Sequence, residues 1–151
     1  MSEYKLLEEI IVLSQSKKWD QARLEWKLEN IYFGDGRDSC LCGHFPIVEL
    51  CQIRNKINQN TAIIGNCCVN KFLGLPSAQI FQAVKRVRND ITKSFNMVSI
   101  NHARSKGWIN NWENEFYLSI FRKRELSEKQ LFQKVQINKK ILNFFVNLNN
   151  H

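Results

Sequence analysis

Apolar residues fall at helical spacing near the start of the chain, switch to alternation before residue 30, and return to helical spacing through the second half. Leu6, Leu7, Ile10, Ile11 and Leu13 share one side of a predicted amphipathic helix over residues 3–13. Ser14-Gln15-Ser16 interrupts it, and residues 17–23 form a second short helical piece. From Leu24 the period becomes two: Leu24, Trp26 and Leu28 alternate with Glu25, Lys27 and Glu29, and Ile31-Tyr32-Phe33 follows. That alternation predicts a strand, although a continued helix could also use Leu24, Leu28 and Ile31. Gly34-Asp35-Gly36 reads as a turn. Ile47–Asn55 and Thr61–Gly65 read as two strands joined by a turn at Asn58-Gln59-Asn60, and a short helix opens at Gly65-Asn66-Cys67-Cys68 and runs through Phe72.

Beyond Pro76 the pattern is helical throughout. Ser77 is placed as an N-cap, and Ile80, Val84, Val87 and Ile91 make an apolar stripe opposite Lys85, Arg86, Asn89 and Lys93. A short helix over residues 98–106 is closed by Gly107, and Asn110 caps the next, which carries Trp112, Phe116 and Ile120. Ser127 followed three residues later by Gln130 matches a capping box. The last helix is expected to bury Leu131, Val135, Leu142 and Phe145, with Ile137, Ile141 and Phe144 on a second side. Trp108 and Trp112 are read as core residues rather than base-stacking ones.

Cysteine placement changes this picture most. All five cysteines and one of the three histidines lie between residues 40 and 68, at positions 40, 42, 44, 51, 67 and 68. Thiolates and an imidazole converging from two segments point to a tetrahedral zinc site, and an odd cysteine count argues against a fully paired disulfide framework. The N-terminus lacks the basic region and long apolar core of a signal peptide, and no run approaches the roughly 20 apolar residues that span a bilayer. The expectation is a protein of the reducing cytoplasm, where clustered cysteines bind metal more often than they cross-link.

Charge divides the chain as well. Residues 1–75 hold nine Lys/Arg and nine Asp/Glu, whereas residues 76–151 hold thirteen and five, so the net +8 lies wholly in the second part. A polyanionic or acidic partner accounts for that asymmetry, as does a solvated helical surface in a basic protein. The junction is placed at Leu73-Gly74-Leu75-Pro76, which divides N-terminal helices plus a zinc module, 1–75, from a basic helical region packing on it, 76–151. The fold class expected is α+β.

The order Ala22-Arg23-Leu24-Glu25-Trp26, Cys40-Leu41-Cys42-Gly43-His44, Ile53-Arg54-Asn55 and Gly65-Asn66-Cys67-Cys68-Val69-Asn70-Lys71-Phe72 resembles the treble-clef-type zinc modules of phage, plasmid and bacterial mobile-element proteins. The resemblance covers residues 19–73. It implies a zinc-held β-hairpin and helix, in proteins that work with nucleic acids or their enzymes, and it brings no catalytic residue with it. Matching the pattern places Cys68 and Cys42 in ligand positions, with Cys40 the third and His44 chosen as the fourth. Cys67 competes for that place, while Cys51, on an alternating strand beside Ile47 and Ile53, reads as a small buried hydrophobe.

No Gly-rich phosphate loop, nucleophile elbow or paired-carboxylate motif is present, and the catalytic histidine pair of an HNH nuclease is missing. The function expected is therefore non-enzymatic, with no small-molecule substrate and no membrane partner. Nucleic acid would be bound through Lys85, Arg86, Lys93, Arg122, Lys123, Arg124 and Lys129. The alternative is a mobile-element inhibitor of a host or defence nucleic-acid enzyme.

Overall fold

A computed structural model describes residues 2–149 and divides the chain into two compact units, 1–78 and 79–151. The division falls three residues beyond the junction placed at Pro76, and no charged residue lies between, so the partition of charge is unchanged. Among the described residues the fold is mixed helix and antiparallel sheet. No helix among them is long and apolar enough to cross a membrane.

The first unit begins with α1 (Ser2–Leu13), which buries Leu6 and Ile10 one turn apart. The end of α1 is fixed by side chains that take up its last carbonyls. Lys17 donates from Nζ to the carbonyls of Ile11, Val12 and Ser14, placing a cation at the negative end of the helix. Asn58 and Asn60 both donate to the Leu13 carbonyl, at 3.0 and 2.8 Å. Helix α2 (Trp19–Ala22) follows, and a 3-10 turn over Arg23–Glu25 leads into the sheet.

Three antiparallel strands, β1 (Trp26–Asp38), β2 (Ile47–Asn55) and β3 (Thr61–Gly65), lie in the order β1-β2-β3. The register sets Ile31 opposite Cys51 and Cys51 opposite Ile64, and all three are fully buried. Leu50 is buried as well, so consecutive residues of the central strand are covered on opposite faces. Gly34-Asp35-Gly36, expected as a turn, lies inside β1 instead. Pairing passes from Phe33–Glu49 to Asp38–Ile47, so residues 34–37 bulge out of the ladder and the strand resumes beyond them. A Cβ at Gly34 would meet Leu50 Cδ1 at 2.6 Å, which is why the strand carries glycine there.

The strand also starts later than alternation suggests. Leu24 is 60% exposed and Glu25 only 7% exposed, the reverse of the expected pattern. The cause is a set of hydrogen bonds that apolar spacing does not reveal. Glu25 Oε1 accepts from the Gln15 amide and from Asn55 Nδ2, and Oε2 from the Ser16 amide, each at 2.8 Å. Asn55, itself fully buried, caps the turn after β2 by accepting from the amides of Ile57 and Asn58. One carboxylate thus ties the end of α1 to the end of the central strand. Just beside it, Trp26 Nε1 donates to Ser14 Oγ, which donates in turn to the Ile10 carbonyl.

After β3, α3 (Asn66–Cys68) widens into a π-type turn over Val69–Leu73 that ends at Gly74, φ +64°. Helix α4 (Ser77–Asn89) leads into the second unit, followed by α5 (Met97–Ser105), α6 (Asn111–Ile120) and α7 (Glu128–Asn149). Ser77, expected as an N-cap, is instead the first residue of α4, and its hydroxyl donates to Asn66 Oδ1 at 2.6 Å; the later caps form as expected. Asn110 and Glu113 make a capping box, Ser127 and Gln130 exchange both bonds of another, and Gly107 ends α5 at φ +75°. Ile80, Val84 and Val87 are buried, whereas Ile91 falls beyond the end of α4 and is half-buried.

The stripe on α7 differs from expectation. Lys134, Ile137, Asn138, Ile141 and Phe145 are buried, while Leu131 is exposed and Val135 and Leu142 are half-buried. Asn138 is anchored on the buried side. Its Nδ2 donates to the carbonyls of Ile91 and Lys93, and its Oδ1 accepts from Tyr117 Oη, which accepts from the Phe95 amide. Losing these contacts would leave three groups without partners, at about 1–3 kcal/mol each. Leu131, two turns earlier and only about 20° away around the helix, lies in the first turn of α7 and is exposed there.

Glu25 makes the first unit sensitive to acid. The Asn55 amide holds its carboxyl below the usual range; burial opposes this, and the amides of Ser16 and Gln15 reinforce it. A depressed folded-state pKa contributes stability that is present above the unfolded-state value of about 4.3 and lost as pH falls through the folded value. Melts of wild type and Glu25→Gln between pH 7 and pH 3 should therefore differ most near neutrality and converge in acid. A gap that stays constant with pH would show that the charge is not what anchors the turn.

Candidate metal centre

Cys40 and Cys42 stand in the loop between β1 and β2, and Cys68 stands in α3, immediately after β3. Antiparallel pairing of β2 with β3 returns the chain to the level of the loop, so two segments distant in sequence meet at one end of the sheet. The three sulfur atoms lie within 4.8 Å of one another. Tetrahedral zinc with bonds of about 2.3 Å would hold its sulfurs about 3.8 Å apart, so a small inward adjustment completes such a site. An all-sulfur donor set suits a soft or borderline ion such as zinc and not magnesium or calcium.

The backbone around the sulfurs is arranged for negative charge. Gly43, at φ +93°, turns the loop back so that the Cys40 amide donates to the His44 carbonyl at 3.0 Å. The His44 amide donates to Cys42 Sγ at 3.4 Å, and the Gly65 amide to Cys40 Sγ at 3.3 Å. Amide donors aimed at sulfur favour thiolate over thiol. Burial pushes the Cys42 thiol up, but the His44 amide and the thiols of Cys40 and Cys68 hold it below the usual value. Burial and the neighbouring Cys40 push the Cys68 thiol up. Crowded thiols cannot all ionise unaided, and a divalent cation among them removes that conflict.

The remaining candidates lie outside this trio. The imidazole of His44 is exposed and is not among the clustered ligand atoms, although its backbone shapes the loop. Cys67 is exposed, and its sulfur is not among the clustered ligand atoms. Cys51 is fully buried in the central strand, where burial raises its thiol to about 12 and leaves it protonated, as expected of a small hydrophobe. His102 sits among aromatic rings of the second unit, edge-on to Trp108 at 5.4 Å and stacked on Phe145 at 6.5 Å. Burial lowers its pKa to about 4, so it is neutral at physiological pH.

The cations named from sequence are all exposed in the second unit, but they are not equivalent. Arg86 is committed to the Ser94 carbonyl through Nε and Nη2, at 3.3 and 2.8 Å, and Arg122 leans over the Phe121 ring at 5.1 Å. Lys85 and Lys93 belong to α4 and the loop after it, whereas Lys123, Arg124 and Lys129 surround the start of α7. Lys134 was not among them and is buried; desolvation and Lys93 lower its pKa against the pull of Asp90. Trp108 is buried as expected, but Trp112 is 56% exposed. Helix phase carries the signal. Trp112 precedes the buried Tyr117 by five residues, which is about 140° around a helix of 3.6 residues per turn.

No protein-family model, curated protein or solved structure matches the chain.

Metal content measured on untagged protein separates the cysteines. Cys42→Ser and Cys68→Ser should each lose most of one bound ion per chain, while Cys51→Ala and Cys67→Ser retain it. Full retention in Cys68→Ser would place the metal elsewhere.

Proposed function

We propose that this is a zinc-stabilised, non-enzymatic protein that binds nucleic acid through its basic helical unit. Zinc is held by Cys40, Cys42 and Cys68, with His44, two residues past Cys42 on the same exposed loop, supplying the fourth ligand. The order of ligand loop, hairpin and ligand-bearing helix supports a treble-clef-like arrangement. Structural zinc of this kind contributes folding energy and performs no chemistry.

The binding half of the reading is carried by one observation: the whole net charge of +8 lies in residues 79–151, with the cations of residues 122–129 exposed. Exposed Lys and Arg are strongly hydrated and add little to stability, so their accumulation on one unit serves an anionic partner. Phosphate contacts of this type release counterions, and affinity falls steeply with salt.

Two measurements test the two halves. Chelation should unfold the first unit while the helical signal of the second survives, because the second unit holds its own buried stripes and caps. A melt unchanged on protein verified to be metal-free would make the ion peripheral. Replacing Arg122, Lys123 and Arg124 together with Gln should weaken binding to duplex and reduce the salt slope by up to about three, near 0.9 per lost phosphate contact, with little change in Tm. An unaltered slope in the folded triple variant would remove this cluster from the site. No binding by wild type at low salt would favour a nucleic-acid-processing protein as the partner.

A further inference from the structure

Helix α6 is capped at Asn110 and held by buried Tyr117 and Ile120, which lie about 140° and 80° around the helix from Trp112. That leaves the Trp112 indole outside, stacked on Phe116 with ring centres 5.3 Å apart and planes 13° from parallel. Across from this pair, the first turns of α7 present Phe132, 64% exposed, beside Gln130 and Gln133. Together with Glu128 and Lys129 these residues line an open groove of about 620 Å³, within the range of sites that take small planar groups.

Exposed Trp112 and Phe132 beside half-buried Phe116 make an aromatic surface patch of the kind that marks an interaction site. The chemistry of the groove indicates what it takes. Its apolar part is aromatic rather than aliphatic, offering flat faces, and its lining includes the carboxamides of Gln133 and of Gln130, whose Oε1 accepts from the Ser127 amide. Four cations, Arg122, Lys123, Arg124 and Lys129, lie within the eight residues that lead into and start α7, against two acids, in a unit of charge +8. Flat faces, amides and a cationic approach match unpaired bases on a phosphate chain. A paired base keeps its faces within the stack and cannot reach such a surface.

We propose that the groove of Trp112, Phe116 and Phe132 stacks unpaired bases of single-stranded nucleic acid, with the cations of residues 122–129 on its phosphates. This rests on the nucleic-acid reading above and narrows it to strands with exposed bases. Stacking and charge then separate experimentally, because a base stacked on a ring releases no counterion.

The test titrates intact protein with three labelled probes of about 16 nucleotides: a single strand, the same strand with abasic sites throughout, and its duplex. The single strand should bind most tightly, with the abasic strand about tenfold weaker or more. Trp112→Ala should bring the single strand to the abasic level without changing the salt slope or Tm, and Phe132→Ala should act in the same direction. Trp112→Phe, which keeps a ring, should restore most of the affinity. Equal affinity for all three probes and a neutral Trp112→Ala would overturn the groove assignment while leaving the electrostatic reading intact. Failure of every probe at low salt would overturn both. Loss of self-association in Trp112→Ala, with strand binding unchanged, would assign the face to protein contact and overturn the proposal.

Discussion

Three sulfur atoms within 4.8 Å of one another set the constraint on which the first unit turns. Cys40 and Cys42 are separated from Cys68 by the whole β2–β3 hairpin, so the pairing of those strands is what lets the sulfurs meet. The dependence runs in both directions. A closed ion would clamp the hairpin base, where β3 ends and α3 begins, and the amides of His44 in the loop and Gly65 at the end of β3 already donate to sulfur.

Away from the sulfurs, both units use the same device: one buried polar side chain that satisfies several backbone groups at once. Glu25 gathers the amides of Gln15 and Ser16 with the Asn55 side chain, and Asn138 gathers the carbonyls of Ile91 and Lys93 with the Tyr117 hydroxyl. Apolar burial alone tolerates small rotations of a helix or slips of a strand. A buried amide or carboxylate does not, because each lost partner costs about 1–3 kcal/mol. These two residues therefore pin the start of β1 and the middle of α7 to partners distant in sequence.

Those outer faces combine two kinds of interaction that differ in range. Exposed cations act over about a Debye length, roughly 8–10 Å at physiological salt, and are indifferent to base identity. Aromatic faces such as Trp112 act only in contact. A surface carrying both can attract a polyanion broadly and then retain the form of it that presents rings. The commitment of Arg86 to Ser94 shows that a cation in a basic unit is not automatically available to a partner.

Local information in the chain was sufficient for what depends on near neighbours. The β2–β3 hairpin, the caps at Asn110 and Ser127, the left-handed glycine at 107, the division of charge and the grouping of Cys40, Cys42 and Cys68 are all legible there, because each rests on residues a few positions apart or on a motif with fixed spacing. Leu24 and Glu25, the bulge at residues 34–37, Leu131 and Trp112 were decided by the tertiary structure. At Leu24 and Glu25 apolar periodicity named the wrong side, since a carboxylate with distant partners outweighed it: Asn55 lies thirty positions from Glu25. Hydrophobic spacing records how much surface an element must bury. Which side it buries, when one polar residue shares the face, depends on hydrogen-bond partners that only the folded chain brings near.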